Sequence, residues 1–120
     1  MFATVQANGL DGLISRLEVL GANPTIEDNV LSFSVKATSG SLAGMEVRSG
    51  IALEETAGWP LIPPHWVHFP DFVVFQTTNA QASSKAGWLK HSRNIVGWGD
   101  ANDPVQSWLS HVRAVLMDAR

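Results

Sequence analysis

Residues 58–70 read GWPLIPPHWVHFP. Pro60, Pro63 and Pro64 fall within five residues, among Trp59, Trp66, His65 and His68. Proline has no backbone N–H and a fixed φ, so this stretch cannot run through the middle of a sheet. It reads as an extended edge segment or a rigid loop on the sheet surface, with Trp59 folded back as an anchor. Three roles are open to it: a structural brace, a binding edge and a catalytic site. The candidate binding residues are Trp59, Pro63, Pro64, His65, Trp66 and His68.

The elements on either side define the fold class. Upstream, Leu10, Leu13, Ile14, Leu17 and Leu20 recur at threes and fours, which predicts a helix over 8–20. Asn8 is placed to cap it, and Gly21 to stop it in a left-handed turn. Leu31, Phe33 and Val35 alternate with Ser32, Ser34 and Lys36, as in a half-buried strand. The Ser- and Gly-rich turn TSGSLAG leads into a second strand, GMEVRSGIALEE, with Ser49 and Gly50 as a bulge or bend. These two strands form an antiparallel hairpin.

Downstream, WVHF and FVVF are each short enough to be strands, separated by Pro70-Asp71. Residues 76–87 have the least pattern and read as a loop. The following stretch, GWLKHSRNIVGWGDAND, reads as a long crossing packed through Trp88, Ile95 and Trp98. The last element has the clearest start. Asp103 is an N-cap, Pro104 suits the first helical position, and Gln106 stands three residues after the cap. Val105, Trp108, Leu109, Val112, Val115 and Leu116 then make a wide apolar face. The expected class is α+β: an N-terminal helix, an antiparallel β-meander, a Pro-rich crossing segment and a C-terminal helix in one domain over 1–120.

Composition narrows the chemistry. The 120 residues are 45% hydrophobic and carry a net charge of −3, with no basic block to grip phosphates. Nucleic acid is therefore not an expected partner. No apolar run approaches a membrane span, so no membrane partner is expected. The N-terminal stretch lacks the pattern of a secretory signal, and the expected location is cytoplasmic. No cysteine is present, which excludes disulfides, thiolate metal sites and thiol catalysis. SGSLAG and GWG lack phosphate-loop spacing, so no cofactor is implied.

The histidines give two candidates. His65 and His68 lie three apart on extended chain, so their side chains face opposite ways and do not converge on a metal. The plainer reading has these rings packed on prolines and bonded to carbonyls. His91, Ser92 and Arg93 form a possible polar site, and a hydrolase or transferase can be drawn from His91, Ser92 and Asp100 or Asp103. Adjacency along the chain is poor geometry for such an attack. Arg93 is better placed to fork onto a carboxylate, Asp100 or Asp103, or onto backbone carbonyls.

WPLIPPHW, residues 59–66, resembles the Y-P-x-x-P-P-x-V signature of the ubiquitin-conjugating enzyme superfamily. The order of elements is similar too, and prokaryotic ubiquitin-conjugating-like proteins are the nearest comparison. Trp59 stands where the family has tyrosine. Trp66 and His68 take the places of an apolar pair, unless one inserted residue gives those places to Val67 and Phe69. The family's His-Pro-Asn motif and its catalytic cysteine are absent. Ser83, Ser84 and Ser92 fall in the region of that cysteine, but none has a matching motif and none inherits its role. The resemblance implies a noncatalytic binding or adaptor domain. Its partner would be a ubiquitin-like modifier, an activating or conjugating enzyme, or a larger subunit, in the setting of a bacterial modifier-ligation or defence operon. A structural subunit of a larger complex is the third reading.

Overall fold

A sheet with one apolar face packed on two helices is the architecture. The computed structural model describes residues 9–76, 80–98 and 103–120. In chain order these form α1 (Gly9–Val19), β1 (Thr25–Glu27), β2 (Val30–Lys36), β3 (Glu46–Ala52), a 3₁₀ turn (Leu53–Thr56), β4 (Trp66–Pro70), β5 (Ala80–Ala82), β6 (Trp88–Ser92) and α2 (Pro104–Leu116). The strands make one antiparallel sheet in the order β1-β2-β3-β4-β6-β5. It is a meander only as far as β4, because β6 and not β5 lies beside β4.

One face of the sheet is apolar. Leu31, Phe33 and Val35 of β2, Val47 and Ile51 of β3, and Val67 and Phe69 of β4 join a single buried cluster. Leu13 and Leu17 of α1 complete it, with Val105, Trp108, Leu109, Val112, Val115 and Leu116 of α2. The apolar stripes of both helices thus fall where their periodicity places them. The other face is polar. There the Arg48 guanidinium donates to Asn23 O (2.9 Å), Ser34 Oγ (3.0 Å), Ser32 Oγ (2.9 Å) and Thr25 Oγ1 (3.0 Å), tying β1, β2 and β3 together.

Several boundaries differ from the sequence reading. No bulge occurs at Ser49 and Gly50: β2 and β3 pair continuously from Val30–Ala52 to Lys36–Glu46. Ser49 keeps its place on the buried face by donating its hydroxyl to His68 O at 3.0 Å. Gly50 serves close approach, since a Cβ there would lie 2.6 Å from Val30 Cγ1. The residues after β3 coil into a 3₁₀ turn and do not extend the strand. FVVF is not a strand either. Its Phe75 makes an isolated bridge to Ala119, and Arg120 N donates to Val74 O at 2.7 Å.

Three short strands, β1, β5 and β6, stand outside the expected elements. β1 turns into β2 through Asp28 and Asn29, both at positive φ (55° and 63°), as a tight two-residue hairpin requires. β5 lies within the stretch read as loop, of which residues 77–79 are outside the described residues. β6 opens the stretch read as a crossing. Asn8, the expected cap of α1, also lies outside the described residues, and Gly21 takes its expected left-handed φ of 74°.

Asp103 joins the two helices. One carboxylate oxygen caps α2 by accepting from Gln106 N at 3.3 Å, and the other accepts from Arg16 Nη2 of α1 at 2.6 Å. Partial burial acts to raise its pKa, but the Arg16 and Gln106 hydrogen bonds and the Arg16 charge outweigh that and hold it below the usual carboxylate value. Its contribution is therefore present above the ordinary carboxylate pKa and is lost as pH falls through the folded value. Replacing Asp103 by Ala is expected to cost about 1–2 kcal/mol at pH 7, read by urea unfolding. Asp103→Asn, which keeps a cap acceptor but loses the charge, should cost less; equal losses would contradict the cap.

Candidate functional site

The Pro-rich segment joins the 3₁₀ turn to β4, and its prolines stay out of the ladder. Trp59 is 4% exposed and belongs to the core cluster. Its ring meets Trp98 edge-on at 5.4 Å, and its carbonyl accepts from Gly9 N at the start of α1 (3.2 Å). Trp98 Nε1 then donates to Pro60 O at 2.7 Å. Within the segment, Ile62 N donates to Gly58 O at 2.9 Å. Pro64 is buried and Pro63 half-buried. What remains outside is apolar: Leu61 is 87% exposed and Ile62 66%. Val96, two residues before Trp98, is 93% exposed.

The rest of the expected binding set divides between surface and interior. The Glu55 carboxylate accepts from His65 N (2.8 Å) and Trp66 N (3.4 Å), fixing the entry into β4. His65 is exposed, and its Nε2 lies 2.5 Å from Ser92 Oγ. Trp66 is half-buried beneath Lys90, whose Nζ sits 4.7 Å from the ring centroid. His68 is 1% exposed, with Nδ1 2.9 Å from Ser83 Oγ.

His68 lies on the polar face, so something must cover it. The turn between β5 and β6 does so. Ser84 Oγ donates to Asp28 O at 2.7 Å, and Lys85 forms an ion pair with Glu27, both partners belonging to the β1–β2 hairpin. The Lys85 ammonium holds the Glu27 carboxyl below its ordinary value. The turn falls within the expected loop over 76–87, but nothing in the pattern there marks it as the cover of His68.

His91, Ser92 and Arg93 do not form one site. His91 pairs with Val67, and Ser92 with Trp66, so the two side chains point to opposite faces. His91 is 2% exposed in the core, its ring 4.8 Å from Phe75 and 6.0 Å from Phe69. The triad drawn from His91, Ser92 and Asp103 is therefore corrected: Asp103 is engaged by Arg16 and the α2 cap, and Asp100 lies outside the described residues. Arg93 does not pair with Asp103. Its Nη1 donates to Ser92 O at 2.8 Å and its guanidinium lies 5.0 Å from the Phe75 ring.

An open groove of about 450 Å³ runs between α2 and residues 95–98, lined by Trp98, Ser110 and His111. Burial and the Arg93 charge lower the His111 pKa. Among the described residues, no group of three His, Cys, Asp or Glu could hold a metal ion, and no helix is long and apolar enough to cross a membrane. Compared with protein-family models, curated proteins and solved structures, the chain matches none of them.

Burial, the Lys90 charge and His91 push the pKa of His68 down to about 4. Burial and the Arg93 charge push His91 down to about 4 as well. Both rings are thus neutral in the fold, whereas in the unfolded chain they protonate near the ordinary value of 6.5. Their contribution is complete above that value and is lost as pH falls toward 4. Unfolding free energy from urea titrations is expected to drop by roughly 2 kcal/mol per residue between pH 7 and pH 5. His91→Phe should remove about half of that drop; a stability unchanged over this range would contradict both assignments.

Proposed function

We propose that this chain is a noncatalytic protein-binding domain of the ubiquitin-conjugating-like kind. It engages a ubiquitin-like modifier or its ligation machinery and forms no thioester of its own. The observation that carries the reading is the exposed pair Leu61 and Ile62, held on a segment braced by Trp59 and Trp98. Large apolar side chains on a restricted backbone lose little freedom on binding, which suits them as anchors in a partner's pocket. Val96 adds apolar surface from the neighbouring segment, which Trp98 ties to Pro60.

The order of elements supports the family reading. A helix precedes the strands, the Pro-rich crossing follows β3, and a helix closes the chain. In this reading β1, β2, β3 and β4 are the family's meander, the Pro-rich crossing follows its third strand, and β6 and β5 are additions beside β4. The absence of cysteine excludes a modifier thioester. A bacterial, cytoplasmic modifier-ligation or defence system is the proposed setting.

The test is an NMR titration of the ¹⁵N-labelled chain with a ubiquitin-fold modifier from the same genome. Shifts are expected in residues 58–66 and 93–98, and a Leu61→Ser, Ile62→Ser double variant should weaken binding at least tenfold. An absence of shifts, or shifts confined to the far end of α2, would overturn the proposal.

A further inference from the structure

Ser92 ends β6 on the face opposite the core, directly across from Trp66 of β4. His65 immediately precedes Trp66, with its ring edge-on to the indole (5.4 Å, 89°) and its Nε2 2.5 Å from Ser92 Oγ. With the imidazole proton on Nδ1, the Ser92 hydroxyl donates to the Nε2 lone pair. That is the contact by which a base raises the nucleophilicity of a serine.

The backbone of His65 is tied on both sides. Its N–H donates to Glu55 Oε2 at 2.8 Å, and its carbonyl accepts from Arg93 N at 3.3 Å. Pro63 and Pro64 restrict the chain just before it. The ring is thus delivered to Ser92 by a fixed backbone. Access is open as well, since His65 is exposed and Ser92 only partly buried. Trp66 offers a flat apolar surface beside Oγ, and Lys90, two residues before Ser92 on the same face, makes that surface positive. Among the described residues, the two neighbouring serines of the β5–β6 turn lack this combination. Ser83 bonds to His68, but that ring is 1% exposed, and exposed Ser84 bonds to a carbonyl.

We infer that Ser92 is an acyl-accepting hydroxyl, with His65 as its general base, that takes an acyl group from an activated ester or thioester. Ser92 Oγ attacks the acyl carbonyl carbon while its proton passes to His65 Nε2. The bond from that carbon to the leaving oxygen or sulfur breaks, and the leaving group takes the proton from Nε2. The product is a Ser92 ester on the flank of the Pro-rich edge. The same segment positions both His65 and the binding edge, but the acylation needs only the acyl donor and no protein bound at Leu61 and Ile62, and as a single transfer onto the chain's own serine it is not turnover.

The experiment is labelling of the full chain with a fluorophosphonate, located by peptide mass mapping. 4-Nitrophenyl acetate gives the rate of acylation through nitrophenolate release. Ser92 is expected to carry the label, with Ser84 unlabelled as an internal comparator. His65→Gln should slow labelling and acylation at least about tenfold, with the far-UV circular dichroism unchanged. Ser92→Ala should abolish the label. An unlabelled Ser92, label spread over the exposed serines, or an undiminished rate in His65→Gln would overturn the inference.

Discussion

Three prolines in residues 60–64 keep the chain out of a sheet ladder, and the contacts that satisfy its other backbone groups organise the molecule around it. Trp59 enters the core and receives Gly9 N from α1. Trp98 brings residues 95–98 onto Pro60 O. Glu55 receives the first two N–H groups after the prolines. These bonds pair the carbonyls of Trp59 and Pro60 and the N–H groups of His65 and Trp66. The segment is thus brace and edge at once: Trp59 and Pro64 hold it, and Leu61 and Ile62 are left outside. The same path delivers His65 to Ser92.

The two faces of the sheet obey different rules. On the apolar face, burial of large side chains supplies the driving force, and His91 is admitted among aromatic rings as a neutral group. On the polar face, side-chain hydrogen bonds hold the strands and turns to one another. Arg48 ties β1, β2 and β3 together there, and the β5–β6 turn covers His68 by bonding to the β1–β2 hairpin. Histidines three residues apart therefore reach different surroundings, His65 in solvent and His68 beneath a turn. Both rings lie on the polar side, since His65 precedes β4 and bonds to Ser92 there instead of following the alternation, and burial beneath the turn is what sets His68 apart.

The elements with strong periodicity were legible in the sequence. The stripe from Leu10 to Leu20, the alternation from Leu31 to Val35 and the Asp103-Pro104 start of α2 each rest on local chemistry. β1 and β5, three residues each and on the exposed edges, have no apolar alternation to reveal them. FVVF reads as a strand from composition, yet its Phe72 and Val74 face solvent, because β6 already occupies the place beside β4. The candidate site was half legible. Proline chemistry gave the rigid edge, but sequence adjacency put Ser92 with His91. Only the register of β4 against β6 shows that alternation sends His91 inward and leaves Ser92 facing His65.

The central claim is that residues 58–66 form a fixed edge held by their own bonds. Amide hydrogen exchange by NMR tests it most directly, because Ile62, His65 and Trp66 each donate to an acceptor within the segment or to Glu55. These amides are expected to exchange far more slowly than in an unstructured peptide, and to lose protection in Trp98→Phe, which removes the donor to Pro60 O. Exchange of all three at unstructured rates in the native chain would contradict the account. The segment would then be a loop, with neither a preformed edge nor a fixed approach of His65 to Ser92.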